Sequence, residues 1–291
     1  MYEFDAQFLN TLDAQVTMVQ PGVKSVPPLL SNRLKVLTSL IENVQQQTSY
    51  PSYFDYRRNM YTFKNNYLAA VLHVAVWYLK VLVEFATDPP ESSSQELSAC
   101  LHANLKLLEE LMTYPYTLHL QEYECDEDIR ESSVGEIYFP SYFRNVTEDA
   151  GVLQVLLRLY NWYSSCPQVP LFQPEIMMLI KIVGRLSSAN SYFFDNEIER
   201  MRFRQNAAEL ITVMLEGYRS YDEIYTCLLL ELPFRVLNSY ALKDYDRSLR
   251  RLLSSAITVC QRIVQGCSIN LESGHLNAPT KALDILNGVY D

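Results

Sequence analysis

Glycine is scarce in this chain, with 8 among 291 residues, under half the roughly 7% usual in proteins. Phosphate-cradling loops, tight hairpins and strained catalytic turns draw on glycine for its positive φ, and none of these motifs is found. Catalytic signatures are missing too. No G-x-S-x-G or comparable local motif occurs, and the four histidines, His73, His102, His119 and His275, are scattered. His73 falls inside an apolar helical run and reads as a core imidazole rather than a catalytic base. The chain is therefore expected not to be an enzyme and to need no cofactor.

The six cysteines, Cys100, Cys125, Cys166, Cys227, Cys260 and Cys267, form no C-x-x-C pair, and no histidine stands at zinc-finger spacing. Cys100, Cys227 and Cys260 fall on apolar helix faces, where the thiol behaves as a small hydrophobe. That usage suits a reduced protein and an intracellular location, cytoplasmic or nuclear. Asn145-Val146-Thr147 fits a glycosylation sequon, but no signal peptide precedes it. No segment alternates apolar and polar residues long enough for a strand. Repeats of fixed period are absent as well.

Helix-period apolar blocks dominate what remains. Leu30, Leu34, Leu37, Ile41 and Val44 step by four and three. Similar stripes run from Leu68 to Val83, Leu97 to Met112, Val152 to Tyr163, Ile176 to Val183 and Leu249 to Val264. Prolines sit mostly between the stripes, where a missing N–H does little harm. Ser93-x-x-Glu96 reads as a capping box, and Gly217 and Gly266 fall where two helices should stop. The expected fold class is all-α: an irregular α-helical solenoid or a large multi-helix bundle of roughly nine or ten helices. Short connections between the stripes imply antiparallel neighbours. In pattern alone the chain resembles armadillo- and HEAT-type helical hairpins, a likeness that carries no functional residues with it. The predicted core includes Leu72, Leu79, Leu82, Leu101, Leu108, Leu156, Ile180, Ile211, Leu253 and Ile263.

The run from Tyr67 to Val83 is apolar apart from His73 and Lys80. It is shorter than the ~20 residues of a spanning helix, so a buried central helix is expected and no transmembrane segment. A long gap between stripes, from about Tyr114 to Val146, divides an N-terminal helical half, residues 1–115, from a C-terminal half, 146–291. The acidic connection spans 116–145, and the halves are expected to pack as one continuous helical domain. The apolar stripe that persists to Asp291 suggests a piece of a longer protein.

Charge supplies the candidate sites. Within the gap, from 122 to 136, Glu122, Glu124, Asp126, Glu127, Asp128, Glu131 and Glu136 face only Arg130. The alternating acids resemble calcium ligands, but Glu131 and Ile137 occupy the positions where an EF-hand needs glycine and glutamate. An aspartate-rich Mg²⁺ motif fails at Arg130. No metal site is expected, which leaves Glu122, Glu124, Asp126, Glu127 and Asp128 as a candidate docking segment for a basic partner. Opposite in sign, Arg247, Arg250, Arg251 and Arg262 project within about 120° of one another on a helix. Arginine in such a row recognises carboxylate or phosphate by bidentate pairing. Arg200, Arg202 and Arg204 are diluted by Glu197 and Glu199 and are discounted.

A formal charge of −10 opposes non-specific nucleic-acid binding, which depends on neutralising phosphates. Tyrosine, at 21 residues, outnumbers phenylalanine and tryptophan together and suits half-buried seams and interfaces. The leading expectation is a non-enzymatic scaffold or adaptor subunit of an intracellular complex, taking a partner helix or peptide in a groove between helices. Its partners would be one or more proteins, with nucleic acid reached only through the local arginine stripe. A phosphate- or nucleic-acid-contacting subunit is the second reading, and an all-helical enzyme with an apolar pocket the third.

Overall fold

Each of the apolar stripes named above lies on a helix. The structure, a computed structural model, describes residues 26, 29–46, 51–87, 95–116, 137–140, 142–144, 151–165, 173–189, 193–217 and 243–267. Among these, 88% are helical and none forms a strand. The helices are α1 (Leu30–Gln45), α2 (Tyr53–Asn66), α3 (Leu68–Thr87), α4 (Gln95–Thr113), α5 (Val152–Ser165), α6 (Gln173–Ser187), α7 (Glu197–Gly217) and α8 (Lys243–Cys267). A single helical turn at 142–144 is the ninth. The chain is all-α, as its periodicity requires. Glycine marks two ends as read from the sequence: α7 stops at Gly217, and α8 stops one residue past Gly266. Ser93 of the expected capping box lies outside the described residues.

Contacts divide the chain into two compact units. One comprises residues 1–127 and 138–162, the other residues 128–137 and 163–291, so the boundary within α5 falls after Trp162. In the first unit α4 packs on α1 and α3, and α2 packs on α1 and α3. Helix α3 is apolar around most of its circumference, and eleven of its twenty side chains are buried, Leu72, Leu79 and Leu82 completely. By length and composition it could cross a membrane, but 56% of its apolar window is buried inside the protein. Its narrow exposed strip carries His73. The expectation of a core imidazole there is corrected: at 100° per residue His73 falls between the packed positions of α3 and faces outward.

One polar group crosses this core. Asn104 on α4 is fully buried and donates from Nδ2 to the Ala75 carbonyl of α3 at 3.1 Å. Arg158 on α5 donates to Thr87 Oγ1 at 2.7 Å, holding α5 to the end of α3. The ends of the long gap prove to be core. Tyr114, Tyr116, Phe139 and Phe143 are buried, with Tyr116 5.3 Å from the Phe143 ring and Phe139 stacked on Phe143 at 5.0 Å. Tyr114 donates to the Met60 carbonyl at 2.8 Å and Tyr116 to that of Leu111 at 2.7 Å. Burial pushes the Tyr116 hydroxyl pKa well above its ordinary value, with the neighbouring Tyr142 and Tyr114 adding to the shift.

In the second unit α6 packs on α7 and α7 on α8. The Ile137 amide donates to the Ser188 carbonyl at 2.7 Å, beside an isolated bridge between Ile137 and Ala189. Helices α7 and α8 run in the same direction, because Glu209 meets Ser248 while Glu216, two turns later, meets Arg251 and Ser255. The antiparallel expectation drawn from short connections does not extend to this pair, which 25 residues of chain separate.

The expected core is buried at Leu72, Leu79, Leu82, Leu101, Leu108, Leu156, Ile180 and Ile211. Leu253 is only half-buried, a correction with a plain geometric cause. The packed face of α8 is centred on Leu252, Ala256 and Val259, and Leu253 lies at its edge. The Ile263 side chain lies outside the described residues.

Candidate interaction surfaces

The arginine row on α8 is exposed at all four positions, Arg247, Arg250, Arg251 and Arg262. The buried residues Leu249, Leu252, Ala256, Val259 and Cys260 fall in the opposite sector of the helix. The row is not uniform. Arg251 makes a bidentate pair with Glu216 of α7, Nε to Oε1 at 3.1 Å and Nη2 to Oε2 at 2.6 Å. Ser255 Oγ donates to the same Oε1 at 2.9 Å. The hydrogen bond from Arg251 holds the Glu216 carboxyl below its usual pKa, helped by Ser255. Two turns earlier on α7, Glu209 accepts from Ser248 at 3.1 Å and from Gln205 at 3.2 Å. Arg251 thus belongs to the α7–α8 seam, and Arg247, Arg250 and Arg262 form the outward part of the row.

The acidic candidates Glu122, Glu124, Asp126, Glu127 and Asp128 lie outside the described residues. Among the described residues, no three histidine, cysteine or carboxylate side chains come together as a metal site would require.

The discounted arginines divide. Arg202 is exposed, but Arg200 and Arg204 are buried, Arg204 to 2% exposure. Arg200 pairs with Glu197 one turn back. Arg204 reaches the Ala189 carbonyl at 3.5 Å, a long contact for a hydrogen bond. Counting net charge discounted these side chains but gave them no direction. Their spacing of four, with Ala207, Ala208 and Ile211 continuing the same face, was the available signal that they point inward.

A second surface went unnoticed in the sequence. Helix α2 is capped by Ser52, whose Oγ accepts from the Asp55 amide at 3.2 Å and donates to the Asp55 carboxylate at 2.7 Å. This reciprocal cap satisfies an N-terminal amide that would otherwise lack a partner. Tyr56, Met60 and Phe63 step by four and three and are buried. The outward face carries Tyr53, Phe54 and Tyr61, exposed by 50%, 68% and 53%. They are three of the six large apolar side chains exposed among the described residues, so this helix concentrates what is otherwise scattered. Arg57 and Arg58 lie between them, with the Arg57 guanidinium 5.7 Å from the centre of the Tyr53 ring. Only a stripe of aromatic residues at i, i+1 and i+8 signalled this face, and the buried stripe at i+3, i+7 and i+10 obscured it.

Comparison of the chain with protein-family models, with curated proteins and with solved structures finds no match in any of the three.

Proposed function

We propose that the chain is a non-enzymatic interaction scaffold, a subunit of an intracellular complex that takes a helix or peptide of a partner protein. The outward face of α2 carries this reading. Soluble monomers scatter their exposed apolar side chains, whereas Tyr53, Phe54 and Tyr61 are gathered on one helix with arginines between them. Tyrosine and arginine are the residue types that dominate binding energy at protein interfaces. Two helical units with packed cores provide the rigid support such anchors need.

Site-specific photo-crosslinking tests the reading. A photoreactive residue at Phe54 or Tyr61 in the full chain should give discrete protein adducts in cell extract, and the same residue at exposed Glu84 of α3 should not. Absence of protein adducts from Phe54 and Tyr61 would overturn the reading.

The second reading, a phosphate- or nucleic-acid-contacting subunit, is favoured by Arg247, Arg250 and Arg262 on the outer side of α8. Each phosphate contact adds close to one unit to the slope of log affinity against log salt. Nuclease-sensitive adducts from a photoreactive residue at Ser254 on the exposed side of α8 would support it. Adducts indifferent to nuclease would exclude it.

A further inference from the structure

We infer that the outward face of α2 docks an acidic peptide segment of a partner protein, with carboxylates on Arg57 and Arg58 and apolar side chains between Tyr53, Phe54 and Tyr61. This deepens the scaffold reading and rests on it. At 100° per residue these five positions share a sector of about 140°, and at 1.5 Å per residue Tyr53 and Tyr61 lie about 12 Å apart. That span matches a few residues of extended peptide or two turns of helix.

Charge decides the chemistry of the occupant. Asp55 is the only acid on α2, and its carboxylate is taken up by the Ser52 cap at 2.7 Å. Against it stand Arg57, Arg58 and Lys64, so the residues of the helix are net positive in formal charge, in a protein whose formal charge is −10. A guanidinium offers a fork of donors that matches a carboxylate bidentately, and a tyrosine ring beside it adds contact area at little cost in side-chain entropy. A second copy of the chain fits poorly, since it would bring arginine against arginine. Single-stranded nucleic acid also stacks on aromatic rings, but it asks for a basic groove tracking its backbone, and this face has two exposed or half-exposed cations. A membrane surface would need aliphatic insertion and a favourable overall charge.

The face is held in place before any partner arrives. Arg57 lies over the Tyr53 ring, and Tyr53 contacts Tyr56 at 6.0 Å between ring centres. From behind, Tyr114 donates to the Met60 carbonyl, and Lys64 Nζ donates to the Tyr116 carbonyl at 3.2 Å. Side chains ordered in advance lose less entropy on binding, which raises the share of contact energy that appears as affinity.

The test is selection of displayed random short peptides on the immobilised full chain, followed by titration of the enriched peptides. Two double variants are compared, F54S/Y61S and R57Q/R58Q, with R247Q/R250Q on α8 as the control. All these side chains are wholly or partly exposed, and unchanged thermal melting by circular dichroism verifies folding. The expected result is enrichment of peptides with Asp or Glu interleaved with apolar residues. Either α2 variant should weaken them about tenfold or more, and added salt should weaken binding to the parent more than to R57Q/R58Q. No enrichment, enrichment without acidic bias, or equal binding by the α2 variants would overturn the inference. So would oligothymidylate binding lost in the same variants, which would assign the face to nucleic acid. Peptides lost only in R247Q/R250Q would overturn it while leaving the scaffold reading standing.

Discussion

Arg251 grips Glu216 with two hydrogen bonds across the α7–α8 seam, at 3.1 and 2.6 Å. Both side chains are partly exposed to solvent, 63% for Arg251 and 41% for Glu216, so screening keeps the stabilisation small. Its pH dependence is nonetheless distinctive. Arg251 depresses the Glu216 pKa in the folded state, so the carboxylate contributes stability in full above its unfolded value near 4.5. That contribution fades as pH falls through the lower folded value. Glu216→Gln should lower the melting temperature slightly at pH 7, and the difference from the parent should shrink towards zero as pH falls through the depressed folded value. An undiminished difference in acid would show that glutamine disturbs the seam for another reason.

Leu29 caps α1 in the left-handed region, with φ of 63°, and its side chain is 62% exposed. A non-glycine residue pays about 1–2 kcal/mol for that backbone, asparagine less, and no side-chain cap bond offsets it here. Leu29→Asn should therefore stabilise the protein by about 1 kcal/mol, since asparagine tolerates the conformation and can cap. A urea titration measures this, and a lower midpoint for the variant would refute the assignment of strain.

Leu79 and Leu253 should respond differently to truncation. Leu79 is fully buried on α3, and Leu79→Ala should cost about 2–5 kcal/mol through lost burial and a residual cavity. Leu253 is half-buried at the edge of the α8 stripe, so Leu253→Ala should cost clearly less. Denaturation midpoints read the comparison, and equal losses would mean that the α8 face is rotated from its described position.

Burial pushes the Cys260 thiol up to about 11 and raises that of Cys100 in the same direction. The thiolate is the reactive form, so at pH 8 both residues should resist alkylation in the folded protein and react on unfolding. Peptide mapping after timed iodoacetamide exposure separates them from the other four cysteines. Rapid labelling of Cys260 in the native protein would contradict its place in the α8 core.

The helices were legible in the sequence because burial repeats with the helical period. Leu30, Leu34, Leu37, Ile41 and Val44 are all buried in that order, and so are the seven stripe residues of α4 from Leu97 to Met112. Surfaces were less legible, since a charge count carries no direction. It discounted Arg200 and Arg204 for their acidic neighbours without showing that the fold turns them inward, and it missed that Arg251 is already engaged by Glu216. The aromatic face of α2 was hidden for a similar reason. Tyr56 and Phe63 are core while Tyr53 and Tyr61 are surface, and residue type alone does not distinguish them.

The shared direction of α7 and α8 bears on how the second unit folds. A helical hairpin can zip from its turn, but this seam joins residues 35 to 39 positions apart. Closing so long a loop costs entropy before any seam contact returns energy. The helices themselves have local bonds and form within about a microsecond. Helix formation is therefore expected to precede docking, with the exposed Glu216–Arg251 grip forming late. Loosening that grip should speed unfolding while leaving the refolding rate near its parental value. In this fold the polar seam is therefore expected to act, by a small amount, on how long the native state lasts rather than on how quickly it is reached.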